Sequence, residues 1–83
     1  MKMCVCCVKD VVSGLYALPM FVASKGIAVR MFTDEVNRSA SDNVMFSHAG
    51  DFVLFELGLF DNVSGVFLCS DPVVLCQGGL VKV

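Results

Sequence analysis

From Met3 to Val8 the chain reads MCVCCV, apolar throughout and bracketed by Lys2 and Lys9-Asp10. A short, β-prone run without alternation predicts a first strand buried on both faces. Val11 to Val22 is also apolar but is broken by Ser13-Gly14 and Leu18-Pro19. The breakers allow a turn and a short extended piece around Pro19-Met-Phe-Val22, and no long element. From Ser24, a suitable N-cap, to about Asn37 the period lengthens to that of a helix. At about 100° per residue, Ile27, Ala28, Val29, Met31, Phe32 and Val36 form one broad apolar arc. Arg30, Thr33, Asp34 and Asn37 gather opposite, and Glu35 is the one charge inside the arc. Gly26 to Phe32 also alternates well enough for a strand, but Thr33 to Asn37 continues the helix and is poor strand material.

Arg38 to Gly50, RSASDNVMFSHAG, has the Ser, Asn, Asp and Gly content of a loop, with Val44-Met-Phe46 as an anchor into the core. Phe52 to Phe60 and Val66 to Cys69, two apolar runs around Asp61-Asn-Val-Ser-Gly65, predict a β-hairpin. By alternation Glu56 shares a strand face with Phe52, Leu54 and Phe60, unless a bulge at Gly58 changes the count. Val73 to Cys76 and Leu80 to Val83 suggest one or two short final strands. The elements add up to an α+β single domain over residues 1–83: a small, mostly antiparallel β-sheet with one principal helix packed against it.

Composition changes this picture in two ways. Apolar residues make up 57% of the 83 residues, more than so small a volume easily encloses, so a homodimer is the simplest expectation. The net charge of −2, with only six scattered Lys and Arg, argues against a general polyanion binder. Any nucleic-acid contact must come from a local arrangement or from basic residues of several copies. The longest uncharged stretch, Val11 to Ser24, is short of the ~20 apolar residues of a membrane span, and Pro19 splits it. Neither a membrane span nor a signal peptide is expected, and the chain stays where it is made.

Five cysteines, Cys4, Cys6, Cys7, Cys69 and Cys76, leave at least one unpaired within the chain. Their spacing matches neither a zinc knuckle nor a redox pair. In a strand Cys4 and Cys6 share one face and Cys7 takes the other, as buried thiols rather than metal ligands. His48 lies near Ser47 and Asp51 without a G-x-S-x-G elbow, so a turn role is expected rather than a catalytic one. Asp34 and Glu35 point about 100° apart on a helix and do not converge. Arg30 and Asp34, at i and i+4, can form a surface ion pair of about 0.3–0.5 kcal/mol. Glycine patterns for phosphate or dinucleotide binding are missing. No cofactor, metal or enzymatic activity is expected. Tyr16, Phe21 and Phe32 with Lys9, Lys25, Arg30 and Arg38 have the residue types for base stacking beside cations, although core packing is the commoner use of such rings.

Val5-Cys6, Pro19-Met-Phe21, the G-x-A-x-R-x-F-x-D-E-V-N segment from Gly26 to Asn37 and the D-F-x-L-F-x-L-G-x-F-D strand from Asp51 to Asp61 together resemble the small nonstructural protein of gokushoviruses, single-stranded DNA phages of the Microviridae. The resemblance covers about residues 1–72. The chain departs from the family pattern at His48-Ala49-Gly50-Asp51 and in its cysteine-rich first strand. The resemblance implies a role in viral single-stranded DNA synthesis and packaging in the host cytoplasm. On that basis single-stranded DNA is expected at Arg30 with Lys25, Lys9 and Arg38. The alternative is an adaptor that docks viral replication or procapsid proteins through Thr33, Asp34 and Asn37 without touching DNA.

Overall fold

The structure, a computed structural model, describes residues 1–83. Its strands are β1 (Lys2–Asp10), β2 (Leu15–Tyr16), β3 (Met20–Val22), β4 (Phe52–Asp61) and β5 (Phe67–Gln77), all in one antiparallel sheet. β1 is central. β4 pairs along its whole length on one side, from Lys2 opposite Asp61 to Asp10 opposite Phe52. On the other side β3 pairs Cys4 to Cys6 and β2 pairs Lys9 and Asp10, so these two short strands share one edge. β5 forms the opposite edge, on β4. The expected α+β architecture is what the chain adopts.

The helices are α1 (Lys25–Val36) and two single turns, α2 (Val44–Ser47) and α3 (Gly78–Val81). Ser24 caps α1 as its sequence suggests, its hydroxyl accepting from the Ile27 N–H at 3.3 Å. Ala28, Phe32 and Val36, one residue per turn, are the buried row and meet Cys4, Cys6, Phe52 and Leu54 in the core. Phe32 and Leu54 are fully buried, worth about 1.5–3 kcal/mol each. Met31 departs from expectation: 49% exposed, it lies at the rim of the helix stripe, because the apolar arc is wider than the strip that meets the sheet. There it lines a shallow groove with Met20 and Met45.

Register divides the sheet into two faces. Cys4, Cys6 and Val8 look toward α1 together with Leu54, Glu56 and Leu59 of β4. Met3, Val5, Cys7 and Lys9 look the other way with Phe60, Gly58, Phe55 and Val53. The ladder slips between Val5–Gly58 and Cys6–Glu56, leaving Leu57 as the extra residue of a bulge. One inserted residue reverses every later side chain. Phe60 therefore faces away from Phe52, Leu54 and Glu56 rather than alongside them. Gly58 beside the bulge has φ 151°, and a Cβ there would stand 2.3 Å from the Leu68 carbonyl oxygen.

Two further readings are corrected. The expected runs Val66 to Cys69 and Val73 to Cys76 fall, but for Val66, in one continuous strand, β5, which absorbs Ser70-Asp-Pro72 as an irregularity against β4. A proline on an edge strand removes no ladder bond that a neighbour needs. Leu80 to Val83 form no strand: Gly78 packs so closely on Ala49 that a Cβ would meet its carbonyl oxygen, and the chain turns there into α3.

Candidate nucleic-acid interface

All the helices that join the core lie on one side of the sheet, which leaves the other face uncovered. Aromatic side chains occupy it. Tyr16 pairs with Lys9, Phe21 with Val5, Phe55 with Cys7, and Phe60 with both Met3 and Phe67. Phe21, Phe60 and Phe67 form one cluster, with ring centroids 5.5, 6.1 and 4.7 Å apart. Tyr16 and Phe55 form a second, edge to face at 5.5 Å. Such cross-strand aromatic contacts hold a sheet face together. Between them Val5 and Cys7 are buried, while Tyr16, Phe21 and Phe67 stay 43%, 46% and 52% exposed.

The register-paired positions of this face carry one charge. Lys9 extends over Tyr16, its Nζ 5.1 Å from the ring centroid. No carboxylate stands at any register-paired position of this face. Phe21 and Tyr16 flank Val5 and Lys9, four residues apart along β1 and so about 13 Å. That is roughly four steps between stacked nucleotides at ~3.4 Å per step. Flat rings at that spacing beside a cation offer stacking surfaces for bases and a contact for a phosphate.

The four cations expected to act together are not brought together. Lys9 is on the open face, while Lys25, Arg30 and Arg38 belong to the helical layer behind it. Lys25 Nζ lies 3.4 Å from Glu56 Oε1, which explains how a carboxylate is tolerated on the core side of β4. Arg38 grips both oxygens of Glu35, at 2.9 and 3.1 Å from Nε and 2.6 Å from a terminal nitrogen. Those hydrogen bonds hold the Glu35 carboxyl below its usual range and push the Arg38 guanidinium up. Arg30 is exposed and makes no ion pair, not even with Asp34.

The polar row proposed for docking is partly turned inward. The Thr33 hydroxyl donates to the Val29 carbonyl at 2.8 Å. Asn37 is a clamp: its amide nitrogen donates to the Thr33 and Val81 carbonyls and its oxygen accepts from the Val83 N–H at 2.8 Å. Only Asp34 keeps its side chain free. Two rings that sequence reasoning paired with Phe32, Tyr16 and Phe21, are on the open face, whereas Phe32 is in the core. Phe55, Phe60 and Phe67 were missed, and the signal was available: a single long helix covers one face of a sheet and leaves the other bare.

Elsewhere the chemistry is quiet. Cys4 Sγ touches Cys6 Sγ at 3.1 Å and donates to Glu56 Oε2 at 3.5 Å. Burial pushes the Cys4 and Cys7 thiols up and the Cys6 thiol to about 12. Ser47 Oγ lies 3.0 Å from His48 Nδ1, both exposed, and Asp51 makes no ion pair with the ring. The family model described as Phage ORF5 protein matches residues 3–81, and the chain belongs to that family. No curated protein and no solved structure shows significant similarity to it.

Proposed function

We propose that this member of the Phage ORF5 family is a non-enzymatic accessory of viral single-stranded DNA synthesis and packaging in the host cytoplasm, acting by weak contact with single-stranded DNA. The resemblance to gokushovirus nonstructural proteins suggests the process. The observation that carries the binding mode is the bare aromatic face with Lys9 as the one charge at its register-paired positions. Bases stack on the two ring clusters and a phosphate meets Lys9. Stacking contributes about 1–3 kcal/mol per base, of which the entropy of association removes roughly 4 kcal/mol or more. Binding is therefore weak and tolerant of sequence, in keeping with the acidic chain.

A titration of labelled single-stranded DNA at two salt concentrations tests this. One or two phosphate contacts give a shallow dependence, a log–log slope of about −0.7 to −1.4. Lys9→Ala lowers that slope and Arg30→Ala leaves it unchanged. Absence of binding at low salt overturns the proposal in favour of an adaptor that docks replication or procapsid proteins. The exposed and unpaired Arg30 and Asp34 support that second reading.

A further inference from the structure

The end of the β4–β5 hairpin beyond the core is apolar on both sides. On its aromatic side are Phe60 and Phe67. On the opposite side, in register with Cys4 but past the end of the core cluster, lie Leu59 and Leu68. With Val66 they floor a depression of about 170 Å³ whose rim carries Lys2, Asp61 and Ser64. Val66 and Leu68 are 51% and 57% exposed, and Val63 in the adjoining turn is 84% exposed. A hairpin with apolar side chains on both faces is marginal in water by itself.

Charge indicates the occupant. Lys2 and Asp61 are cross-strand partners, yet Lys2 forms no ion pair. Asp61 accepts from the Val63 and Ser64 N–H groups, which hold its carboxyl below the usual range, and its nearest cation is the Met1 ammonium at 3.8 Å. The rim thus presents a cation and an anion as cross-strand neighbours at one end of an apolar floor, with the Met1 ammonium beside the anion. Such a patch is complementary to itself under a two-fold axis, where residue i meets j and j meets i. The aromatic face, whose register-paired positions carry a cation and no carboxylate, is not.

We infer that the depression formed by Leu59, Val66 and Leu68 is the interface for a second copy of this chain, Lys2 of each copy meeting Asp61 of the partner. The dimer buries the apolar floor twice and leaves both aromatic faces open. It does not depend on what those faces bind, so dimerisation and DNA binding fail independently.

Sedimentation equilibrium over a range of concentrations measures it. The unaltered chain dimerises. Lys2→Glu sets like charges against each other at two symmetry-related contacts and weakens the dimer about a hundredfold, roughly tenfold for each. Leu68→Asp abolishes it, with the far-ultraviolet spectrum unchanged because the side chain is already half exposed. Leu80→Asp, at an apolar site 80% exposed on α3, leaves it intact. Mixing the Lys2→Glu and Asp61→Lys chains restores association as a heterodimer. Asp61 also caps its turn, so if that variant does not fold, Leu68→Asp with Leu80→Asp as control decides the matter. A monomer at all concentrations, a dimer indifferent to Lys2→Glu and Leu68→Asp, or one broken equally by Leu80→Asp overturns the inference.

Discussion

Asn43 is the residue whose loss the structure weighs most clearly. It is 6% exposed and bridges the two helices. Its amide nitrogen donates to the Glu35 carbonyl at 2.8 Å and the Arg38 carbonyl at 2.9 Å, closing the end of α1. Its oxygen accepts from the Met45 N–H at 3.1 Å, capping α2. In Asn43→Ala all three bonds go. A lost cap costs about 1 kcal/mol, and each lost bond to a carbonyl about 0.5–1.5 kcal/mol. The Glu35 oxygen keeps the Arg38 N–H, which favours the lower half of that range. The sum is about 2–3 kcal/mol, a large share of the roughly 4–12 kcal/mol expected for a domain of this length. At about 4–8 °C per kcal/mol, the melting temperature followed by circular dichroism falls by about 10–20 °C. Asn43→Asp keeps the acceptor for Met45 but faces two carbonyl oxygens with a carboxylate, so near neutral pH it is no more stable than the alanine variant. A loss below about 1 kcal/mol in Asn43→Ala, or native stability in Asn43→Asp, refutes the bridging role.

Three other outcomes follow from the packing. Gly58→Ala drives a Cβ to 2.3 Å from the Leu68 carbonyl oxygen at φ 151°, so the variant loses more than about 3 kcal/mol and a urea melt shows little or no native baseline. With a disulfide-exchange reagent, exposed Cys69 reacts first and half-buried Cys76 next, while Cys4, Cys6 and Cys7 react only as fast as the protein unfolds; a rapid reaction of three or more thiols contradicts the burial. Glu35 and Asp61 have folded pKa values below their unfolded values of 4.5 and 3.8. Their contribution is present above those values and lost as pH falls through the lower folded ones. Stability to urea thus declines below about pH 4, and Glu35→Gln flattens the decline rather than steepening it.

What the chain reveals about its fold tracks the strength of its local signals. The helix was legible because Ala28, Phe32 and Val36 recur at its period and Ser24 marks its start. The hairpin was legible from two apolar runs about a glycine turn. Gly58 marked a bulge as an alternative to regular alternation, but the side on which Phe60 lies followed only once the register showed the extra residue at Leu57. β5 escaped because Asp71-Pro72 reads as a break, yet an edge strand accommodates it. For the candidate site the types of residue were legible and their grouping was not. Lys9 and Arg30 look equivalent in sequence and are separated by the sheet. Asn37 looks like a surface residue and spends its hydrogen bonds on Val81 and Val83. These are long-range facts that periodicity does not encode.

Tyr16 makes the most direct measurement possible. The chain has one tyrosine and no tryptophan, and that tyrosine lies on the open face beside Lys9 and Phe55. Its intrinsic emission therefore reports on this face alone. Titrated with a short oligothymidylate at low salt, the emission is quenched as a base stacks. Phe21→Ala weakens the titration by about 5- to 100-fold, the equivalent of one stacked base. An oligonucleotide that binds by anisotropy while Tyr16 emission stays unchanged contradicts the account.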